Sequence, residues 1–247
     1  MKIQVINPNT TATMTEKIGV AARQVAAPTT EILACNPAMG PVSIEGHYDE
    51  ALSVIGVLDE IRRGEAAGID GYVIACFGDP GLGAARELAR GPVIGIAEAA
   101  MHVASLVAPR FSVVTTLGRT KGIAQHLVTS YGMTAHCASI RAAEVAVLAL
   151  EESGSAAYDQ ILQECRLALA EDEAEAIVLG CGGMADLAAE LAASLGVPVI
   201  EGVTAGVKLV EAVVALGLGT SKVRDYAYPI AKPCLGLLDK FALPSQG

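Results

Sequence analysis

The chain has 247 residues, 52% of them apolar and 4% aromatic, and is long and apolar enough to bury a full core. Its 17 Lys and Arg against 27 Asp and Glu give a formal net charge of −10 at pH 7, which repels phosphate backbones and anionic lipid alike. We therefore expect no nucleic acid and no membrane among its partners. An apolar run follows Met1 without a signal-peptide pattern, and we expect a cytoplasmic protein.

Short β-branched apolar runs alternate along the chain with stretches rich in Ala, Glu and Arg. The predicted strands are 2–7, 71–76 and 91–95 in the first part of the chain, and 110–115, 176–181 and 197–200 in the second. The predicted helices are 48–64 and 84–89, then 158–171 and 187–192. Because the second part repeats the order of the first, the sequence predicts one strand and helix unit used twice.

This repeated alternation is typical of parallel sheets covered by helices. The expected fold is α/β, with two similar Rossmann-like (flavodoxin-like) domains whose parallel sheets are related by pseudo-twofold symmetry. Ligands bind such sheets beyond the carboxyl ends of the strands. Four turns lie there, at 7–10, 76–80, 115–116 and 181–184. Two halves that face one another would bring these turns around one crevice.

The six cysteines form no CxxC pair, and the four histidines lack the spacing of metal ligands. The cysteines are Cys35, Cys76, Cys137, Cys165, Cys181 and Cys234. The default role of a free cysteine is that of a small buried apolar side chain. Cys76 and Cys181 differ from the other four cysteines because each follows a predicted strand and precedes a Gly-rich turn. Backbone N–H groups and a helix N-terminus favour thiolate there, so we expect lowered pKa values.

Two thiols at equivalent strand ends indicate a particular chemistry. One activated cysteine would suggest a covalent nucleophile, which normally needs a neighbouring base. Two thiols on opposite sides of a bound carbon can remove a proton from one face and deliver one to the other, which inverts a stereocentre. The sequence has no GxxxxGK[ST] phosphate loop, GxSxG elbow, HExxH motif or GxGxxG opening of the first helix. We expect neither a cofactor nor a metal.

Four segments carry a resemblance to a known family. They are INPNT at 6–10, SIEGH at 43–47, ACFGDPG at 75–81 and LGCGGM at 179–184. Together they resemble the hydantoin racemases, a family that includes the allantoin racemases and belongs to the aspartate/glutamate racemase superfamily. The resemblance runs from residue 1 to about residue 228. It implies a racemase that inverts C5 of 5-monosubstituted hydantoins, allantoin included, without pyridoxal phosphate or metal.

The resemblance also implies a site and a domain plan. Cys76 and Cys181 would be the catalytic thiols. The substrate-binding residues would be Pro8, Asn9, Thr10, Ser43, Ile44, Phe77, Gly78, Asp79, Thr115, Thr116, Gly182, Gly183 and Met184. Residues 1–100 plus 202–247 would form the N-terminal domain and 101–201 the C-terminal domain, with the active site at their interface. The enzyme would be a homo-oligomer of hydantoin or purine catabolism.

Several alternatives stay open at this point. Asp79 either contacts the ring or caps the helix that begins after Pro80. The substrate is either allantoin or an amino-acid-derived hydantoin. Relatives in the superfamily racemise amino acids, isomerise maleate or decarboxylate malonates, and a cytoplasmic small-solute binding module would also have two lobes and a cleft.

Overall fold

A computed structural model describes residues 1–151 and 156–242, in which eight strands alternate with eight α-helices. The strands are β1 (Lys2–Ile6), β2 (Glu31–Cys35), β3 (Gly71–Ile74), β4 (Val93–Gly95), β5 (Phe111–Thr115), β6 (Cys137–Ala142), β7 (Ala176–Gly180) and β8 (Val199–Ile200). The helices are α1 (Ala12–Val25), α2 (His47–Ala67), α3 (Leu82–Leu88), α4 (Ile96–Val107), α5 (Lys121–Ser130), α6 (Ala157–Glu171), α7 (Ala188–Leu195) and α8 (Gly202–Ala215). Within these ranges no helix has the length and apolar character needed to span a bilayer.

The strands form two four-stranded parallel sheets with the same internal order. The first runs β2-β1-β3-β4 and the second β6-β5-β7-β8. The first strand of each half, β1 or β5, lies second from the edge of its sheet. The crevice beyond the strand ends therefore opens between equivalent pairs of strands, β1 and β3 in one sheet and β5 and β7 in the other. The expected α/β fold with two similar parallel sheets is confirmed.

Each sheet is buried on both faces, as parallel sheets require. Ile3 and Val5 of β1 face one core, while Ile6 faces another core beneath α2 and α3. In the second sheet Val113 faces the same core as Val5, and Val114 faces a third core against α6 and α7. The core that contains both Val5 and Val113 is therefore continuous between the two sheets.

Two helices join the halves. α4 leads from the first sheet to the second, and it packs against α8, α5 and β7. α8 begins after the last strand of the second sheet and returns to pack against α1, α4, β3 and β4. The returning helix had been expected from the family resemblance, whereas the domain limits at 100/101 and 201/202 stay a prediction.

The sequence-based prediction lacks one strand from each half and assigns no bounds to the helices α1, α4, α5 and α8. The omitted strands, β2 and β6, each form one edge of their sheet, and none of their side chains is fully buried. β6 (CASIRA) mixes polar with apolar residues, as an incompletely covered edge strand allows, whereas β2 (EILAC) has a short apolar run that was not assigned to a strand.

Candidate active site

The two cysteines singled out by the sequence lie at equivalent strand ends. Cys76 follows β3 after one residue, and its backbone oxygen accepts a hydrogen bond from the N–H of Asp79 at 2.9 Å, which closes a turn. Cys181 follows β7 directly, and its oxygen accepts a hydrogen bond from the N–H of Met184 at 3.2 Å. The same strand-to-turn geometry therefore presents both thiols beyond the carboxyl edges of the sheets.

The two turns touch one another across the halves. A Cβ atom on Gly182 would lie 2.6 Å from the backbone oxygen of Ala75, the residue before Cys76. Since a backbone oxygen cannot move aside as a flexible side chain can, only glycine permits this approach. The close contact holds the Cys181 turn against the end of β3, and both thiols line one cavity.

Ten of the predicted site residues line this cavity. They are Asn9, Ile44, Cys76, Phe77, Gly78, Thr115, Thr116, Cys181, Gly182 and Gly183. The four turns at the strand ends therefore meet around one crevice, together with Ile44 from the segment before α2. A hydrogen bond links the two halves at the cavity wall. The backbone N–H of Val147, another lining residue, donates to Oε1 of Glu45 at 2.9 Å.

Side-chain hydrogen bonds fix the turn at residues 7–10, which follows β1. The Nδ2 of Asn7 donates to Oδ1 of Asn9 at 2.8 Å and to Oγ1 of Thr15 at 3.0 Å. The same Asn9 oxygen accepts from the backbone N–H of Thr11 at 2.9 Å. Asn7 and Asn9 are both buried and line the cavity, so their amide groups are fixed before a ligand arrives.

Five predicted site residues do not line the cavity. Pro8 is buried, and Ser43 is partly buried one position before the lining residue Ile44. The backbone N–H and the hydroxyl of Thr10 both donate to the oxygen of Pro41, at 3.0 and 3.3 Å, so Thr10 supports the wall from behind. Met184 is fully buried in the core against α6 and α7.

Asp79 is the fifth predicted site residue outside the cavity lining. It caps α4 rather than the helix that begins after Pro80, which the sequence had suggested. Its carboxylate accepts hydrogen bonds from the backbone N–H groups of Ala97 and Glu98, both at 3.0 Å, in the first turn of α4 rather than of α3. The hydroxyl of Tyr131 donates to the same carboxylate at 2.7 Å. Asp79 is 5% exposed, and burial raises its pKa to about 7, whereas the three donors act to lower it.

The pKa of Cys76 departs from the sequence-based expectation. A lowered pKa was expected, and a backbone hydrogen bond from Gly78 does act in that direction. Burial acts more strongly and raises the pKa of the Cys76 thiol to about 12, and the nearby Cys181 adds to the increase. The expectation was wrong for Cys76 because removal of water from the thiolate outweighs one N–H dipole.

The remaining lining residues were not singled out as catalytic or substrate-binding from the sequence. They are Asn7, Met14, Gly46, Glu50, Ala75, Thr120, Ile123, Ala124, Val147 and Gly180. Asn7 and Gly46 fall inside segments that carry the family resemblance, whereas Glu50 has no local mark in the sequence. Glu50 lies in the first turn of α2, and burial raises the pKa of its carboxyl.

The described residues also limit what else the site could hold. Within 1–151 and 156–242, no group of three or more His, Cys, Asp and Glu side chains is arranged to bind a metal ion. The cavity instead offers two thiols, amide groups, hydroxyl groups and the carboxylate of Glu50. These groups suit proton transfer at a carbon atom of a small polar ligand.

Comparison with known proteins agrees with this geometry. The sequence profile of the Asp/Glu/Hydantoin racemase family matches residues 3–210. The chain is 52% identical to a hydantoin racemase from Pseudomonas sp. (strain NS671) over 241 residues. This match covers 98% of this chain and 97% of the relative. It is 54% identical over 236 residues to a hydantoin racemase from Rhizobium meliloti, over 96% of this chain and 98% of the relative.

Among solved structures, an allantoin racemase from Klebsiella pneumoniae superposes with a TM-score of 0.96 at 59% identity, over 98% of this chain and 99% of that one. Both the sequence profile and these relatives extend across the two halves that form the cavity. The chain therefore belongs to the Asp/Glu/Hydantoin racemase family.

Proposed function

We propose that this protein is a racemase that inverts C5 of 5-monosubstituted hydantoins, allantoin included, with Cys76 and Cys181 as its acid and base. The observation that carries the proposal is that both thiols line one cavity from equivalent strand ends of two similar sheets. The names of its hydantoin racemase and allantoin racemase relatives support the choice of substrate class.

In the proposed reaction one cysteine, as thiolate, takes the C5 proton from one face of the ring. The electron pair of the broken C–H bond moves onto the adjacent carbonyl, which becomes an enolate. The other cysteine, as thiol, then gives its proton to C5 on the opposite face, and the enolate returns to a carbonyl. The product is the opposite enantiomer, and the two thiols have exchanged protonation states.

This exchange requires a pair that holds one proton between two sulfur atoms. Because burial and the neighbouring Cys181 raise the pKa of Cys76, two thiolates side by side are disfavoured. A raised pKa also makes the Cys76 thiolate, once formed, a stronger base toward a carbon acid. The cavity therefore disfavours a state with two thiolates, and the proposed reaction starts from the state with one thiolate and one thiol.

The polar groups of the cavity suit an uncharged ring. The described lining includes the amides of Asn7 and Asn9 and the hydroxyls of Thr115 and Thr116, but neither Arg nor Lys. A free amino acid would bring a carboxylate without a cationic partner, so this lining favours a hydantoin over an amino acid as substrate. The reaction needs no cofactor. We also propose that the enzyme is cytoplasmic, and that it is a homo-oligomer, as the family resemblance implies.

A polarimetric assay with allantoin, 5-benzylhydantoin and 5-isobutylhydantoin tests the proposal. We expect the wild-type protein to racemise at least one of them. Cys76→Ser and Cys181→Ser should each lower kcat by about 10²- to 10⁴-fold, since a hydroxyl of much higher pKa replaces an acid–base group. Cys137→Ser, a partly buried thiol outside the cavity, is the matched control. Near-normal turnover by both cavity variants would refute the two-thiol mechanism.

A further inference from the structure

The cavity contains a charged group that the proposed reaction does not use. Among the described residues of the lining, Glu50 is the one with a charged side chain. It belongs to the first turn of α2, and its side chain is 26% exposed. A carboxylate that is partly removed from water beside a thiol pair costs free energy unless a donor compensates it.

The surroundings of Glu50 provide little compensation. Within 1–151 and 156–242, the basic group found within 4.0 Å of its carboxylate is Nδ1 of His47, at 3.8 Å. The side chain of His47 is 82% exposed, so water screens this contact. His47 and His126 favour the charged form of Glu50, but burial outweighs them and raises the pKa of its carboxyl. The acceptor oxygens of Glu50 are therefore available to a ligand.

Glu50 lies on one side of the reacting pair. A Cβ atom on Gly78 would be 3.7 Å from Cδ of Glu50 and 3.9 Å from Sγ of Cys76, so the carboxylate and the thiol flank the same small residue. The equivalent position on the other side is Gly183, where a Cβ atom would be 3.1 Å from Cδ1 of Leu150 and 3.6 Å from Cys181. A carboxylate thus lies beside Cys76, whereas the side chain nearest to Gly183, beside Cys181, is the apolar Leu150.

We propose that Glu50 is a specificity-determining residue that accepts hydrogen bonds from N–H groups on the C5 substituent, so that the preferred substrates are hydantoins with a donor-bearing substituent such as the ureido group of allantoin. The inference rests on the function proposed above. An apolar substituent in the same position leaves the buried acceptor without a partner, and sites of this kind reject analogues that lack the matching group.

The test compares kcat/KM for allantoin and for 5-isobutylhydantoin in the wild-type protein, Glu50→Gln and Glu50→Leu. We expect the wild-type protein to prefer allantoin. Glu50→Leu should lower kcat/KM for allantoin by about 10- to 100-fold, the range for a lost hydrogen bond to a charged group, and should leave or improve turnover of the isobutyl compound. Glu50→Gln keeps one acceptor oxygen and should lose less.

Glu190→Leu is the matched control, because Glu190 is an exposed carboxylate in the first turn of α7 and does not line the cavity. Equal losses on both substrates, or no loss on either, would overturn the specificity role. So would a wild-type protein that racemises the isobutyl compound but not allantoin, although the proposed function would then stand. A wild-type protein that racemises no hydantoin would end both proposals.

Discussion

Cys76 and Cys181, the proposed acid–base pair, lie in different surroundings. Each follows a strand of a different sheet, and the nearby side chains differ, with the carboxylate of Glu50 beside Cys76 and the apolar Leu150 near Cys181. If the thiols act from opposite faces of the ring, each enantiomer presents its C5 hydrogen to one of them alone. Removal of the proton and completion of the inversion are then separable steps.

This division predicts a pattern of hydrogen exchange in deuterium oxide. We expect each of the variants Cys76→Ser and Cys181→Ser to exchange the C5 hydrogen of one enantiomer without racemising it. The enantiomer that one variant exchanges should be the opposite of the one that the other variant exchanges. NMR of the C5 signal measures the exchange, after subtraction of the rate without enzyme. If both variants exchange both enantiomers equally, one base or a solvent route serves both faces.

At the residue scale, the sequence predicts which residues line the cavity better than it predicts their pKa values. A cysteine between an apolar strand and a Gly-rich turn is visible as a local pattern, and both turns do line the cavity. The protonation state of Cys76 is not visible in this way. Its pKa depends on how much water the two halves exclude when they meet, which no local pattern of residues records.

At the scale of elements, the N-terminus of α4 connects the two halves. Asp79 extends from the turn after β3 to the first turn of α4, and Tyr131, the residue after α5, donates to it from the other half. Asp79 adopts a φ of 45°, a conformation that is strained for a residue with a side chain. These contacts fix the turn that carries Cys76 relative to both sheets.

The buried Asp79 predicts a pH dependence of stability. Its pKa in the folded protein is about 7, above the ordinary value of 3.8, so the folded state binds this proton more tightly than the unfolded state does. The stabilisation is complete below the ordinary pKa and is lost as pH rises through 7. From pH 5 to pH 8 the free energy of unfolding should fall by roughly 3 kcal/mol on this account, at 1.36 kcal/mol per pKa unit.

Urea unfolding of the wild-type protein and of Asp79→Asn at both pH values measures this contribution. The variant should lose the decrease that Asp79 causes, whereas Asp159→Asn, an exposed change in the first turn of α6, should keep it. Parallel pH dependences for Asp79→Asn and the wild-type protein would show that Asp79 stays ionised throughout this range, held by its three donors.

The elements themselves could be predicted where burial is complete. Both central strands of each sheet follow from short runs rich in apolar residues, and α2 and α6 follow from long stretches with helical spacing. The edge strand β6 could not be found in this way because polar residues interrupt its apolar pattern, and the short apolar run of β2 was not assigned to a strand. The partner of Asp79 also could not be found, since the helix that it caps begins 17 residues later (96 minus 79).

At the scale of the whole molecule, the cavity is assembled from both halves and from more than one layer. The strand-end turns could be predicted because parallel topology alone brings them to one edge. Glu50, Ile123 and Val147 reach the cavity only through the packing of elements from different parts of the chain. The side walls that would select a substrate are therefore the part of the site that is least visible in the sequence.

The return of α8 to the first sheet predicts the behaviour of a shortened chain. Val203, Val207 and Val210 are fully buried in the core that runs between the sheets. A chain that ends at residue 201 would leave this apolar surface of β3, α1 and α4 open, so we expect it to aggregate. A chain that ends at residue 226 retains α8 and should remain soluble with cooperative unfolding.

Size-exclusion chromatography and thermal unfolding distinguish the two chains. A monodisperse, cooperatively unfolding protein of residues 1–201 would show that the first sheet does not depend on α8. Equal aggregation of both chains would instead assign the essential contact to residues after 226.

The course of the chain has a consequence for its synthesis on the ribosome. The strands of the first sheet emerge early, but the helix that covers one of its faces is translated after the whole second sheet. The N-terminal half must therefore wait, with apolar surface exposed, until nearly nine-tenths of the chain has been made (215 of 247 residues). During that interval the exposed apolar surface of the nascent chain is prone to aggregation, and the first sheet can complete its packing only after α8 has been made.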